Sequence, residues 1–136
     1  CAAKPPPVGG VGQRLQYRDF ALTVTAVDAA PDFAGARKAR AGNKLVAVEV
    51  LIESGASAGV HWDPEHSRLV TRDGTAHKAR STGKTPLIER ALSIPRGESA
   101  RGWVTYEVPA GTRVARFKFE APKEFDNVMF EVELTL

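Results

Sequence analysis

The chain has 136 residues, 43% hydrophobic and 26% charged, and its 19 basic against 16 acidic side chains leave a net charge of +3. That is one domain's worth of material, able to bury a core without cross-links, and its basic excess falls short of the footprint of a nucleic-acid binder. The single cysteine excludes an intrachain disulfide framework and a cluster of thiolate metal ligands, and no run approaches the roughly 20 apolar residues of a transmembrane helix.

Cys1 stands at the first position, ahead of small residues, the triple proline Pro5-Pro6-Pro7 and the pair Gly9-Gly10. Residues 1–12 therefore read as an extended, solvated tether, and residues 13–136 as the folded domain. A cysteine followed by such a tether resembles the mature end of bacterial lipoproteins, in which the signal peptide is removed just before a cysteine that carries acyl chains. The resemblance implies a lipid on Cys1 and membrane contact through that lipid alone; the simpler alternative is an ordinary reactive thiol.

Period-2 alternation dominates the rest of the chain. Phe20, Leu22, Val24 and Ala26 alternate with Ala21, Thr23 and Thr25, which predicts a half-buried strand. Leu45 to Ile52 is nearly continuous in apolar residues and suits a central strand. Gly102 to Val108 sets Val104, Tyr106 and Val108 against Trp103, Thr105 and Glu107, and Val114 to Glu120 sets Ala115, Phe117 and Phe119 against Arg116 and Lys118. In the last strand Val128, Phe130, Val132, Leu134 and Leu136 share one face. Weaker strands are expected at Arg14 to Tyr17, Ser67 to Thr71, Thr75 to Lys78 and Ile88 to Ile94, with Asp73-Gly74 as a tight primed hairpin turn in which both residues take positive φ. Seven to nine short strands at this spacing predict an all-β, immunoglobulin-like antiparallel β-sandwich with Greek-key connections. The interval Ala29 to Asn43 is the exception: it holds either a helical turn around Ala36 to Ala41 or a mobile loop.

The order of motifs along the chain resembles a family of bacterial lipoprotein domains. The segments that carry the resemblance are Gly12-Gln13 leading into Phe20 to Val27, Gly42 to Val50, His66 to Thr75, Ile94 to Glu98, Arg101 to Pro109 and Val114 to Phe119. That family has an immunoglobulin-like fold and no assigned function, and is similar to secreted mycobacterial immunogenic antigens. The resemblance implies an exported β-sandwich that is not an enzyme and offers no catalytic residues to transfer. The alanine- and arginine-rich insertion before Gly42 departs from the family pattern.

Two groups of side chains are candidate sites. In His61-Trp62-Asp63-Pro64-Glu65-His66 two imidazoles and two carboxylates lie within six positions, and His61, Asp63, Glu65 and His66 are candidate ligands of zinc or copper. His77 joins them only if the hairpin brings it across. The simpler reading makes the segment a turn entering a strand, with Asp63-Pro64 enforcing extended backbone. The candidate binding surface comprises Arg37, Lys38 and Arg40, a basic loop facing anionic lipid headgroups or an acidic partner, and Trp103 on the outward side of its strand, an aromatic anchor for a protein or glycan partner, against the plainer reading of solvated loops and a sheet-covering aromatic.

Cupredoxin copper chemistry needs a cysteine inside the site, and Cys1 lies on the tether. A serine hydrolase needs a nucleophile elbow and a paired histidine, and the sequence shows neither. The sequence thus predicts a lipid-anchored, non-enzymatic binding or envelope-associated module on the extracytoplasmic side. Its partners are the membrane and an envelope protein or other anionic partner, with no nucleic acid and no cofactor. The alternative is a metal-binding protein using the His61 to His66 segment.

Overall fold

The computed structural model describes residues 8–28, 40–55, 59–80 and 92–134. Among these, eleven strands form: β1 (Val8–Gly10), β2 (Arg14–Tyr17), β3 (Phe20–Asp28), β4 (Asn43–Ser54), β5 (Val60–Trp62), β6 (Ser67–Thr71), β7 (Ala76–Arg80), β8 (Leu92–Ile94), β9 (Ser99–Pro109), β10 (Val114–Glu120) and β11 (Met129–Glu133). Single turns of 3-10 helix follow β5, at Pro64–His66, and β10, at Lys123–Phe125. Nine strands hydrogen-bond in the order β1-β11-β10-β6-β7-β9-β4-β3-β2, and β5 and β8 make a separate ribbon.

The nine strands fold into the two layers of the expected all-β sandwich, one of β2, β3, β4 and β9, the other of β7, β6, β10, β11 and β1. They are joined along one side where β7 pairs with β9 through Ala79↔Tyr106 and Arg80↔Thr105. On the other side the amide of Gly12 donates to the carbonyl of Val24 at 2.8 Å, drawing the outermost strands together. Chain order and spatial order interleave, as Greek-key connections require. All pairings are antiparallel except β1 with β11, which run parallel. The expected tether boundary is therefore corrected: Val8–Gly10 belongs to the sheet, although its glycines signal an extended tether in sequence. Cys1 to Pro7, and the expected helical turn at Ala36 to Ala41 apart from its last two residues, Arg40 and Ala41, lie outside the described residues.

Between the layers sit Phe20, Leu22, Val24, Val46, Val48, Val50, Ile52, Leu69, Val104, Tyr106, Phe117, Phe119, Phe130 and Val132, all buried. The alternation read from β4, β9 and β11 is the one that packs. In β3 it holds only to Val24, because the register against β4 shifts between Val24↔Val50 and Ala26↔Glu49. That bulge turns Val27, rather than Ala26, toward the core. A second bulge between Val114 and Arg116 lets Val114 and Phe117 face inward on the same strand.

The Asp73-Gly74 hairpin forms, but not with the primed turn. The amide of Thr71 donates to Thr75 O at 3.0 Å, leaving three residues in the loop, of which Gly74 alone takes positive φ, 89°. Asp73 contributes through its carboxylate instead: Oδ1 accepts from Thr75 N at 3.0 Å and from Thr71 Oγ1 at 2.6 Å. The hydroxyl of Thr71, foremost, holds the Asp73 carboxyl below the usual aspartate range, followed by the Thr75 amide.

The registers define two ends of the sandwich. Tyr17↔Phe20, Phe20↔Ser54, Ser67↔Phe119 and Glu120↔Met129 place the end of β2 and β4, the start of β6 and the end of β10 together, with Val8 of β1 entering beside Glu131. Asn43↔Pro109 and Thr71↔Val114 mark the opposite end, which carries the 71–75 hairpin.

Candidate ligand-binding cleft

The Asp63-Pro64 pair sets the local structure of the first end. Asp63 is extended, with φ −139° and ψ 116°, as a residue before proline prefers, and its Oδ1 caps the 3-10 turn by accepting from Glu65 N at 3.0 Å. The turn is fastened to the core by a buried relay: Tyr106 on β9 reaches across the sandwich and donates to Ser67 Oγ at 2.7 Å, and Ser67 donates to Pro64 O at 2.6 Å. Burial, the main cause, raises the Tyr106 phenol far above its ordinary value, so it is a neutral donor at any physiological pH.

Trp62, fully buried, stacks on Phe119 with ring centroids 4.7 Å apart. Phe119 continues into Phe20, which meets Phe125 edge-on at 5.3 Å and Phe130 at 5.2 Å. Above the Trp62–Phe119 pair opens a cleft of about 500 Å³ between the 60–66 segment and the 119–127 segment. Trp62, Phe119 and Ala121 lie buried beneath the cleft, while His61, Asp63, His66, Glu120, Lys123 and Asn127 supply polar groups of both charge signs. Asn127, at φ 50°, donates through Nδ2 to Ala121 O at 3.3 Å, and Asp126, at φ 59°, accepts from Tyr17 OH at 2.6 Å and pairs with Arg18 at 3.1 Å. These contacts lock the 119–127 wall to β2. The hydrogen bond to Asp126 is the first cause raising the Tyr17 phenol pKa.

The sequence-based candidates divide accordingly. His61, Asp63 and His66 share the cleft, whereas Glu65 is exposed and does not line it. His66 Nε2 stands 3.9 Å from Asp63 Oδ2, and His61 Nδ1 is engaged by Ser93 Oγ at 2.9 Å across the β5–β8 ribbon. His77 lies in the far hairpin at 3.2 Å from Thr71 Oγ1. Among the described residues no three His, Cys, Asp or Glu side chains group to hold a metal ion, so the four-ligand set His61, Asp63, Glu65 and His66 does not assemble. Ser93 with His61 is a serine–histidine contact that the sequence did not disclose; it is exposed, and the two residues face each other by strand register. Trp103 is half-buried on the outer side of β9 opposite Glu49, away from the cleft, and Arg40 is exposed at the opposite end. Arg37 and Lys38 lie outside the described residues. Two carboxylates near the C-terminus are paired: Glu131 binds Lys118 at 3.1 Å, and Asp126 is taken as above.

Phe119, Glu120, Ala121, Lys123 and Asn127 carry half of the cleft and were not found by sequence reasoning. Their local signal is a strand end followed by Pro122, and only the β6–β10 pairing sets them against the His61 segment.

A family model described as "Domain of unknown function (DUF4352)" matches residues 9–129. The chain belongs to that family. This DUF4352 domain shares its fold with the yjhA protein of Bacillus subtilis, at TM-score 0.70 and 13% identity over 93% of this chain and 99% of that one. It is similar also to MPT63, a secreted protein of Mycobacterium tuberculosis, at 0.64 and 13% over 97% and 100%. The ycdA protein of Bacillus subtilis, described as a candidate lipoprotein, matches at 0.64 and 13% over 88% of this chain and 38% of its own. No curated protein matches the chain. The sandwich expected from the motif order, and the likeness to a secreted mycobacterial protein, are thus both found, the latter as a likeness of fold.

Proposed function

We propose that this protein is a lipid-anchored, exported module of the cell envelope that binds a small amphiphilic ligand in the cleft and performs no chemistry on it. The cleft carries the reading: it is backed by the buried Trp62–Phe119 pair, its rim carries imidazoles, carboxylates and one ammonium, and among the described residues no nucleophile, base and oxyanion donors converge in it. Such a site suits a small ligand with an apolar body and a head group of mixed polarity. Cys1 and the residues up to Pro7 support the anchor, as do the fold likenesses to a secreted protein and to a candidate lipoprotein. β1 enters the sheet at the cleft end, and seven extended residues reach at most about 25 Å, so an acylated Cys1 would hold the cleft close to the bilayer.

Two measurements test the two halves. Intact mass of the mature N-terminus, from precursor expressed in the native host, is expected to show diacyl or triacyl increments that vanish in Cys1→Ala; an unmodified cysteine refutes the anchor. Anilinonaphthalene sulfonate, a dye with an aromatic body and an anionic head, is expected to bind saturably at one site, with Lys123→Ala and His66→Ala each weakening it by about threefold or more. Both residues are exposed, so the fold survives the changes. Dye binding indifferent to both substitutions refutes the cleft as the site, and ester hydrolysis abolished by Ser93→Ala would refute the non-enzymatic half.

A further inference from the structure

The end of the sandwich opposite the cleft is built from three turns that hydrogen-bond to one another. Ala110 N donates to Gly42 O at 2.9 Å, and Arg72 N donates to Arg113 O at 2.8 Å, so the 40–43, 109–113 and 71–75 segments form one platform. Asn43 N to Arg40 O at 2.9 Å and Thr112 N to Pro109 O at 3.1 Å close the first two turns individually. Each turn adjoins strands of the main sheet: β4, β9 and β10, and β6 and β7.

Its charge is one-sided. Segments 40–44, 71–75 and 109–113 hold Arg40, Lys44, Arg72 and Arg113 against Asp73 alone, four positive charges to one negative. Asp73 is bound by Thr71 and Thr75 and is not extended toward any of the arginines. Arg40, Arg72 and Arg113 are all exposed, and none has a carboxylate partner among the described residues, whereas Arg14, Arg18 and Arg101 elsewhere on the surface are each paired with one. The β9–β10 turn crosses from one layer to the other, so Arg113 and Arg72 stand over the second layer and Arg40 over the first.

We infer that this platform is a docking surface for a short carboxylate-rich segment of a partner protein. The inference rests on neither the cleft nor the anchor. Three guanidinium forks prefer planar oxyanions that they grip with two hydrogen bonds each, which a row of aspartates or glutamates offers. The number of charges decides against larger polyanions: nucleic-acid binding takes about 6–10 phosphate contacts, and with Lys44 half-buried the three exposed forks fall below the clusters of about 4–8 basic residues that bilayer recognition takes. Three forks match a segment of a few acidic residues.

Fluorescein-labelled hexaglutamate, followed by anisotropy at about 20 mM salt, is the probe, since at that ionic strength exposed charges are weakly screened. Saturable binding is expected, weakened by about tenfold in Arg72→Gln/Arg113→Gln and by less than about twofold in Arg18→Gln/Arg96→Gln, which removes the same charge from the cleft end. Arg72→Lys/Arg113→Lys keeps the charge but loses the forks, and is expected to fall between wild type and the glutamine pair. Equal losses in the two glutamine pairs would show a net-charge effect and overturn the site. Tighter binding of a polyphosphate of equal charge would overturn the carboxylate assignment, and so would retention on phosphatidylglycerol vesicles without hexaglutamate binding. No peptide binding at about 1 mM overturns the proposal outright.

Discussion

Removing the Ser67 hydroxyl is expected to cost more than removing the Tyr106 hydroxyl, although the two share one hydrogen bond. In Tyr106→Phe the ring still packs on Phe117, at 6.4 Å between centroids, and Ser67 keeps its bond to Pro64 O, so the loss is one buried hydrogen bond, about 1 kcal/mol. In Ser67→Ala the Tyr106 hydroxyl is orphaned at a cost of about 1–3 kcal/mol, and Pro64 O loses one buried hydrogen bond, about 1 kcal/mol more, while keeping the one from the amide of residue 67. The expected total is therefore about 2–4 kcal/mol. For 136 residues the unfolding entropy is about 0.29 kcal/mol/K, so the midpoints should fall by about 3 °C and by about 7–14 °C. Urea unfolding of the two single variants and the double variant supplies the cycle. Tyr106→Phe placed on the Ser67→Ala background should recover stability, since it removes an orphaned hydroxyl. A double variant that loses the sum of the single losses would refute the relay.

Further outcomes follow from the same contacts. The Tyr106 phenol has its pKa raised by burial above the ordinary value of 10.0, so the folded state holds its proton longer than the unfolded one. Stability is then full below pH 10 and falls as pH rises above it, with a slope of up to about 1.4 kcal/mol per pH unit that Tyr106→Phe should remove in alkaline urea titrations. Asp73 is shifted the other way, so its contribution is present above the ordinary carboxylate range and is lost on acidification, and acid unfolding of Asp73→Asn should lack that component. Gly59→Ala should cost clearly more than Gly74→Ala in thermal melts: both glycines have positive φ, but a Cβ on Gly59 would sit 2.9 Å from Ile94 O, while one on Gly74 meets nothing. Thr105 is fully buried with its Oγ1 unpartnered among the described residues, and Thr105→Val should leave stability unchanged or raise it by about 1 kcal/mol by calorimetry.

What could be read ahead of the structure was whatever a local period encodes. Val46, Val48, Val50 and Ile52, and Val104, Tyr106 and Val108, alternate in sequence and are buried in the fold. A bulge breaks such a period without leaving a compositional mark, which is why Ala26 was expected inward and Val27 was not. Strands of three residues are too short to show a period at all, so β1 passed for tether and β5 for a turn. The cleft was half legible for a related reason. His61, Asp63 and His66 stood out because their chemistry is concentrated in six positions, yet their facing wall is about 55 residues further on and ordinary in composition. The same concentration suggested a metal site, because ligand density in sequence says nothing about whether alternate residues of a strand and a turn point at one another.

The parallel pairing of β1 with β11 has a mechanical side. A pull on the chain ahead of Val8 acts along the axis of β1, and the pairs Val8↔Glu131, Gly9↔Val132 and Gly10↔Glu133 lie side by side across that axis. They are loaded together, in shear, instead of opening one after another as a peeled strand does. β11 takes up the strain between β1 and β10, with Phe130 and Val132 fixed in the core. A domain held at this point can be tugged, by whatever it has caught, without its first strand unzipping.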